Sequence, residues 1–229
     1  MTVRDRPAAV LFDMDGTLVD SEGQWLQAEE AVMRNLGGTW TGADQAHCLG
    51  GPLERVAEYM IERSGARIAP DEVGTLLLDE MEHRLRISAL VWRPGARDLL
   101  LESRAAGLPT ALVSASWKRL IDAVAQHVHD DLRVTAFDVV VAGDDVEQSK
   151  PHPDPYLTAA RLLGVDPADC LAIEDSPTGV RSAAAAGCGV VAVPHIAHVS
   201  EPGVLVIDSL ADRSVEDLWV AASTARRPL

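Results

Sequence analysis

In Ala8-Ala9-Val10-Leu11-Phe12-Asp13-Met14-Asp15-Gly16-Thr17, five apolar residues run without interruption into a pair of carboxylates. A continuous apolar run of this length reads as a strand buried on both faces, the pattern of a parallel sheet. The two carboxylates stand two residues apart, and Gly16 then lets the backbone turn sharply. Burying carboxylates is costly unless cations or hydrogen-bond donors meet them. A pair at a strand tip is therefore a candidate for holding a hard divalent metal through oxygen. The plainer alternative is an exposed acidic turn that caps the next helix.

Working outward, the pattern after Asp15 changes from strand to helix and stays helical for roughly seventy residues. Trp25, Val32, Met33 and Leu36 share one helical face, and Gly37-Gly38 stops the run. Leu53, Val56, Ala57, Met60 and Ile61 repeat the geometry, and Val73, Leu76, Leu77, Met81 and Leu85 form a third stripe. Three amphipathic helices with no strand between them predict a helical cap domain over 20–90, inserted into a core made of 1–19 and 91–229.

From Pro94 onward strands and helices alternate. Apolar runs at Pro109–Val113, Phe137–Ala142, Cys170–Ile173, Val190–Val193 and, more weakly, Val204–Ile207 read as strands. Helical segments lie between them: from Pro94 to Gly107, around Leu120 to Val124, from Tyr156 to Leu163, and from Thr178 to Ala186. The expected fold class is α/β: a Rossmann-like parallel sheet core with helices on both faces and an inserted all-helical cap.

The chain has 229 residues, 47 % of them apolar, enough for one sizeable core and a smaller accessory unit. Lys and Arg total 20 against 35 Asp and Glu, a formal net charge of −15. That balance argues against nucleic acid and against anionic membrane surfaces as partners, and no basic run offsets it. An anionic substrate would need a concentrated local source of positive charge. Cys48, Cys170 and Cys188 are odd in number and widely spaced, so neither a disulfide framework nor a cysteine zinc site is expected. That cysteine usage makes a reducing, cytoplasmic setting the expectation; a first strand about ten residues from the start suggests no signal peptide, and no apolar stretch nears the roughly 20 residues of a membrane span.

In an open parallel sheet, ligands bind beyond the carboxyl ends of the strands. Four polar clusters fall there. Asp13 and Asp15 follow the first strand, and Ser114 and Ser116 the second. Lys150 closes the loop after the third, in Ser149-Lys150-Pro151-His152-Pro153-Asp154, and Glu174-Asp175 follows the fourth. Each has a plain reading as a helix cap, a surface charge or an acidic turn. Together they fit phosphoryl transfer. Carboxylates from separate strands can hold Mg²⁺, the metal and Lys150 would neutralise phosphate charge, and Asp13 can attack phosphorus while Asp15 handles the proton. Ser176 is placed to cap a helix that begins at Pro177. His195 and His198 could bind metal by spacing, but two ligands on a Pro-containing loop read as structural.

With Asp13-x-Asp15-Gly16-Thr17, Ser114, Lys150-Pro151 and Glu174-Asp175 in that order, the chain resembles the haloacid dehalogenase-like (HAD) superfamily, in the branch with a helical cap after the first motif. The resemblance implies Asp13 as nucleophile and metal ligand, and Asp15 as general acid/base that also binds Mg²⁺ through its carbonyl. It implies Thr17, Ser114, Ala115 and Lys150 around the phosphoryl group, and Asp175 completing the metal site, with Glu174 either a further ligand or a support behind the ligands. The namesake dehalogenases lack the second aspartate and need no metal, so Asp15 and Glu174-Asp175 argue against their chemistry. A β-phosphoglucomutase-like mutase keeps a His in the first cap helix, where this chain has Trp25, and a phosphate-holding lysine where it has Trp117, with Lys118 next.

Asp20-Ser21-Glu22, Trp25 and the residues after them are similar to the cap of bacterial hexose-phosphate phosphatases. Glu22, Trp25, Gly51, Arg55, Ser116 and Lys118 are the candidate substrate contacts. The expected protein is thus a Mg²⁺-dependent phosphatase of small phosphorylated metabolites, sugar phosphates above all, acting as a monomer or small homo-oligomer with the cap closing over its substrate. A sugar phosphomutase and a non-catalytic phosphometabolite-binding domain are the alternatives.

Overall fold

The computed structural model describes residues 5–48 and 52–226. Six strands form one parallel sheet: β1 (Ala9–Phe12), β2 (Thr110–Val113), β3 (Val139–Val141), β4 (Cys170–Glu174), β5 (Gly189–Ala192) and β6 (Leu205–Val206), in the order β3-β2-β1-β4-β5-β6. In the register, Leu11 sits beside Ala111 of β2 and Ala172 of β4, so β1 is central and its neighbours lie far away in sequence. Four consecutive fully buried residues in β1, and again in β2 and β5, are what a strand covered on both faces demands.

Nine α-helices are described: α1 (Glu22–Asn35), α2 (Gly42–Cys48), α3 (Leu53–Ser64), α4 (Pro70–Ile87), α5 (Ala96–Ala105), α6 (Lys118–Leu132), α7 (Asp154–Leu163), α8 (Pro177–Ala185) and α9 (Val215–Ala225). On one face of the sheet Ala9, Leu11, Ala111, Val113 and Ala172 pack with Tyr156, Ala159 and Ala160 of α7 and Val180 and Ala183 of α8. α9 packs on β5, where the Trp219 ring lies over Gly189, and α5 packs against α9.

The chain divides into two compact units, 1–20 with 90–229, and 21–89. In the smaller one α4 packs against both α1 and α3, around Val32, Met33, Trp40, Met60, Val73 and Leu77. Its described residues carry four helices, not the three that periodicity suggests. α2 is a short helix of about two turns without an apolar stripe, and it is announced instead by Thr41-x-x-Asp44. Asp44 Oδ2 accepts from the Thr41 amide at 3.0 Å, and Thr41 Oγ1 takes the Asp44 amide at 3.4 Å, a reciprocal N-terminal cap. α9 also goes unannounced by the strand–helix alternation, although Ser214 caps it through the Asp217 amide at 3.1 Å. β3 is shorter than its apolar run, because Asp138 turns to bind the Thr110 amide and Arg104 before the strand begins.

Between β1 and α1 the backbone folds back on itself. The Gly16 amide donates to Val19 O at 2.8 Å, and Asp20 and Arg93 amides pair with Val91 and Leu18 carbonyls. The two crossings of the chain between the units are thereby tied beside the end of β1.

Candidate active site

Asp13 leaves β1 with its amide bound to Ile173 O at 3.0 Å, so the ends of β1 and β4 are locked together. The sheet order reverses direction at this pair, the crevice where open α/β sheets bind ligands. Lys150 arrives from the loop after β3, and its side chain is only 4 % exposed. Its ammonium donates to Asp13 Oδ1 at 2.7 Å, to Glu174 Oε1 at 2.6 Å and to Val113 O at 2.9 Å, and stands 5.1 Å from the centre of the Tyr156 ring. The lysine loop is pinned by Ser182 Oγ, which donates to His152 O at 2.5 Å; the Lys150–Pro151 bond is cis.

Glu174 is fully buried. Tyr156 donates to its Oε1 at 2.8 Å, and the Asp175 amide and Ser176 hydroxyl donate to Oε2 at 3.1 and 3.3 Å. Ser176 in turn caps α8 through the Gly179 amide at 3.1 Å, with Pro177 opening the helix. Gly179 is fixed by the carboxylate itself: a Cβ there would overlap Glu174. Gly16, at φ 83°, is constrained twice, since a Cβ would be strained and would overlap Asp175 Oδ2.

Asp13, Glu174 and Asp175 each offer an oxygen within 4.8 Å of the others. Asp13 Oδ2 is buried and makes no hydrogen bond, so one oxygen of the strand-tip carboxylate is left for a ligand. The charge balance points the same way. Burial first, then Glu174, pushes the Asp13 carboxyl up to about 7 despite Lys150. Burial first, then Asp13 and Glu174, pushes Asp175 up to about 9. Burial works against the Lys150 ammonium, but Asp13 and Glu174 hold its pKa above the ordinary lysine range. One ammonium does not satisfy this set of carboxylates, and all-oxygen donors of this kind fit a hard divalent cation.

The second strand supplies the next layer. Ser114 Oγ accepts from the Ser116 amide at 3.0 Å, and Ser116 Oγ donates to Asp15 Oδ2 at 2.7 Å, which orients that carboxylate. Trp117 is the residue that precedes α6, so Ser116 does not cap that helix. Ala115 is exposed in the same loop, and Thr17 is buried with a hydroxyl that makes no hydrogen bond. Lys118 goes elsewhere: its ammonium pairs with Asp122 one turn along α6 and its amide donates to Asp144.

In the helical unit Glu22 and Trp25 lie on the first turns of α1, Trp25 half-buried, and Gln45 donates to Glu22 O at 3.2 Å. Arg55 on α3 donates to His47 O at 2.5 Å. Gly51 lies outside the described residues. Three neighbours of the site escape sequence reasoning. Tyr156 sits in a helical stripe indistinguishable from core. Gly179 hides inside a helix. His195, which reads as structural, stands beside Gly16 and Asp175.

A family model described as haloacid dehalogenase-like hydrolase matches residues 7–187. Among curated proteins, the chain is 34 % identical over 224 residues to protein CbbY of Rhodobacter capsulatus, covering 95 % of this chain and 96 % of the relative. It is 35 % identical over 194 residues to hexitol phosphatase A of Escherichia coli, covering 80 % and 81 %. It also spans 55 % of the length of the bifunctional riboflavin kinase/FMN phosphatase of Arabidopsis thaliana, at 32 % identity over 91 % of this chain. Among solved structures, CbbY from Rhodobacter sphaeroides in complex with phosphate aligns at a TM-score of 0.80 and 25 % identity, covering 93 % of this chain and 99 % of that one. A match from residue 7 to residue 187 takes in the helical unit, most of the larger one and the motifs from Asp13 to Asp175, and the chain belongs to the haloacid dehalogenase-like hydrolase family.

Proposed function

We propose that this protein is a Mg²⁺-dependent phosphatase of small phosphate monoesters, sugar phosphates above all, working through an aspartyl-phosphate on Asp13. The observation that carries the reading is the single ammonium of Lys150 joining Asp13 and Glu174, with Asp175 within metal-sharing distance. The phosphatase relatives and the phosphate complex of CbbY support the substrate class.

Asp13, Glu174 and Asp175 would hold the cation, which when bound neutralises phosphate charge and favours the ionised carboxylates. Asp13 Oδ2, the oxygen without a hydrogen bond, attacks phosphorus as the ester oxygen leaves with a proton from Asp15. Ser116 keeps the Asp15 carboxylate aimed for that transfer. Lys150 stabilises the charge spread over the phosphoryl oxygens, with Ser114, Thr17 and the amides around Ala115 as further donors. Asp15 then takes a proton from the water that attacks the aspartyl-phosphate, phosphate is released and Asp13 is regenerated.

A mutase must grip a second phosphate. Lys118 and Arg55 are committed to Asp122 and to His47 O, which favours hydrolysis. The test is phosphate release from sugar phosphates, nucleotides and phosphoglycolate, with Mg²⁺ and with chelator. Metal-dependent release that Asp13→Asn abolishes is the expected result. Conversion of a sugar 1-phosphate to its 6-phosphate without release would favour the mutase, and ligand binding without turnover the non-catalytic domain.

A further inference from the structure

His195 takes no part in the chemistry just described, yet it lies against it. It comes three residues after the last residue of β5, on the sheet edge that carries Asp13, Ser114 and Glu174. Its side chain is 17 % exposed, with Nε2 3.8 Å from Asp20 Oδ2. Nδ1 is buried and makes no hydrogen bond. Gly16 locates that nitrogen: a Cβ on Gly16 would overlap Asp175 Oδ2 and stand 3.4 Å from His195 Nδ1. The carboxylate oxygen and the imidazole nitrogen therefore face the same side of one glycine. His195 is outside the group of donors that share a 4.8 Å radius, so it is not placed to be a direct ligand.

A buried imidazole nitrogen without a partner forfeits a hydrogen bond, and such atoms are explained when something absent supplies one. The Asp20 carboxylate beside Nε2 favours the tautomer with its proton there, which leaves Nδ1 as an acceptor. Burial first, and then Arg93, whose Nε donates to Gly16 O at 3.1 Å, opposes an imidazolium. An acceptor nitrogen next to an acceptor carboxylate calls for a donor with two hydrogens, and a water on a divalent cation is a strong one.

We propose that His195 is a positioning residue of the cation site, its Nδ1 accepting a hydrogen bond from a water of the Mg²⁺ that Asp175 helps to hold. The proposal rests on the Mg²⁺-phosphatase reading above, and calorimetric titration of the full chain with Mg²⁺ alone separates the two. His195→Ala is expected to weaken the Mg²⁺ Kd by about tenfold. His195→Asn, whose side-chain oxygen can accept in place of Nδ1, should recover most of it, with metal-free melting temperatures close to wild type in both. An unchanged Kd in His195→Ala overturns the proposal. An equal weakening in both variants also overturns it, since ring packing would then be the cause. If the wild type releases phosphate and binds Mg²⁺ while His195→Ala binds as tightly, only this inference falls. If the wild type binds no Mg²⁺, both readings fall together.

Discussion

Lys150 holds together carboxylates that would otherwise repel one another. Two such charges within 4.8 Å cost about 3 kcal/mol at an effective dielectric near 20. Replacing the lysine leaves Asp13 and Glu174 buried without their cation, so Lys150→Met should cost about 3–5 kcal/mol. The loss, measured by urea unfolding of the metal-free protein, should be greater at pH 8 than at pH 5. At the lower pH the raised Asp13 and Asp175 carboxyls already carry protons. An equal loss at both values would contradict the charge argument. Gly179→Ala tests the same carboxylate from its other side. The new methyl would displace Glu174 from Lys150 and Tyr156, and turnover should fall at least tenfold; wild-type turnover would show that Glu174 need not be held there.

At the scale of elements, the helical unit carries a buried acid of its own. Glu29 of α1 is 6 % exposed, accepts from Trp40 Nε1 at 2.9 Å, and is pushed up to about 7, chiefly by burial. Its folded pKa lies above the unfolded one, so its contribution to stability is complete below about pH 4.5 and is lost as pH rises through about 7. Glu29→Gln keeps an acceptor for Trp40 and removes the ionisation. It should stabilise the protein by about 3 kcal/mol at pH 8 and change little at pH 4.5, read from denaturant midpoints. A gain of the same size at both values would refute the linkage. Caps act at this scale too: Ser214→Ala should cost about 1 kcal/mol by freeing the Asp217 amide at the start of α9.

For the whole molecule, cation binding and folding are linked. In the metal-free protein the raised Asp13 and Asp175 carboxyls favour folding below the ordinary carboxylate range, and that contribution is lost as pH rises through about 7 and about 9. A divalent cation selects the ionised forms, so Mg²⁺ should bind more tightly and release fewer protons as pH rises. At 100 times its Kd it adds about 2.7 kcal/mol to stability. The melting-temperature difference between Mg²⁺-loaded and metal-free protein should therefore widen from pH 6 to pH 9 at fixed metal concentration, and a constant difference would refute carboxylate ligation by these residues. Against the charge of −15 spread over the chain, a cation held by these carboxylates would give an anionic substrate its meeting point. Among the described residues no helix is long and apolar enough to cross a membrane.

The chain's own residues were enough to determine the parallel α/β core and the order of its polar clusters. Unbroken apolar runs such as Ala9–Phe12 suit strands buried on both faces, and the strand-to-helix rhythm calls for the crossovers. α2 and α9 were legible only in their capping pairs, because a short helix has no stripe to read and a terminal one has no strand after it. What tertiary structure alone decided is which atoms face each other. The aim of Lys150 past the Tyr156 ring, the hydrogen bond from Ser116 to Asp15 and the approach of His195 to Gly16 join residues from separate loops and, for Tyr156, a helix. Such contacts depend on strand register and on side-chain direction at the sheet edge, and neither leaves a local pattern in the order of amino acids.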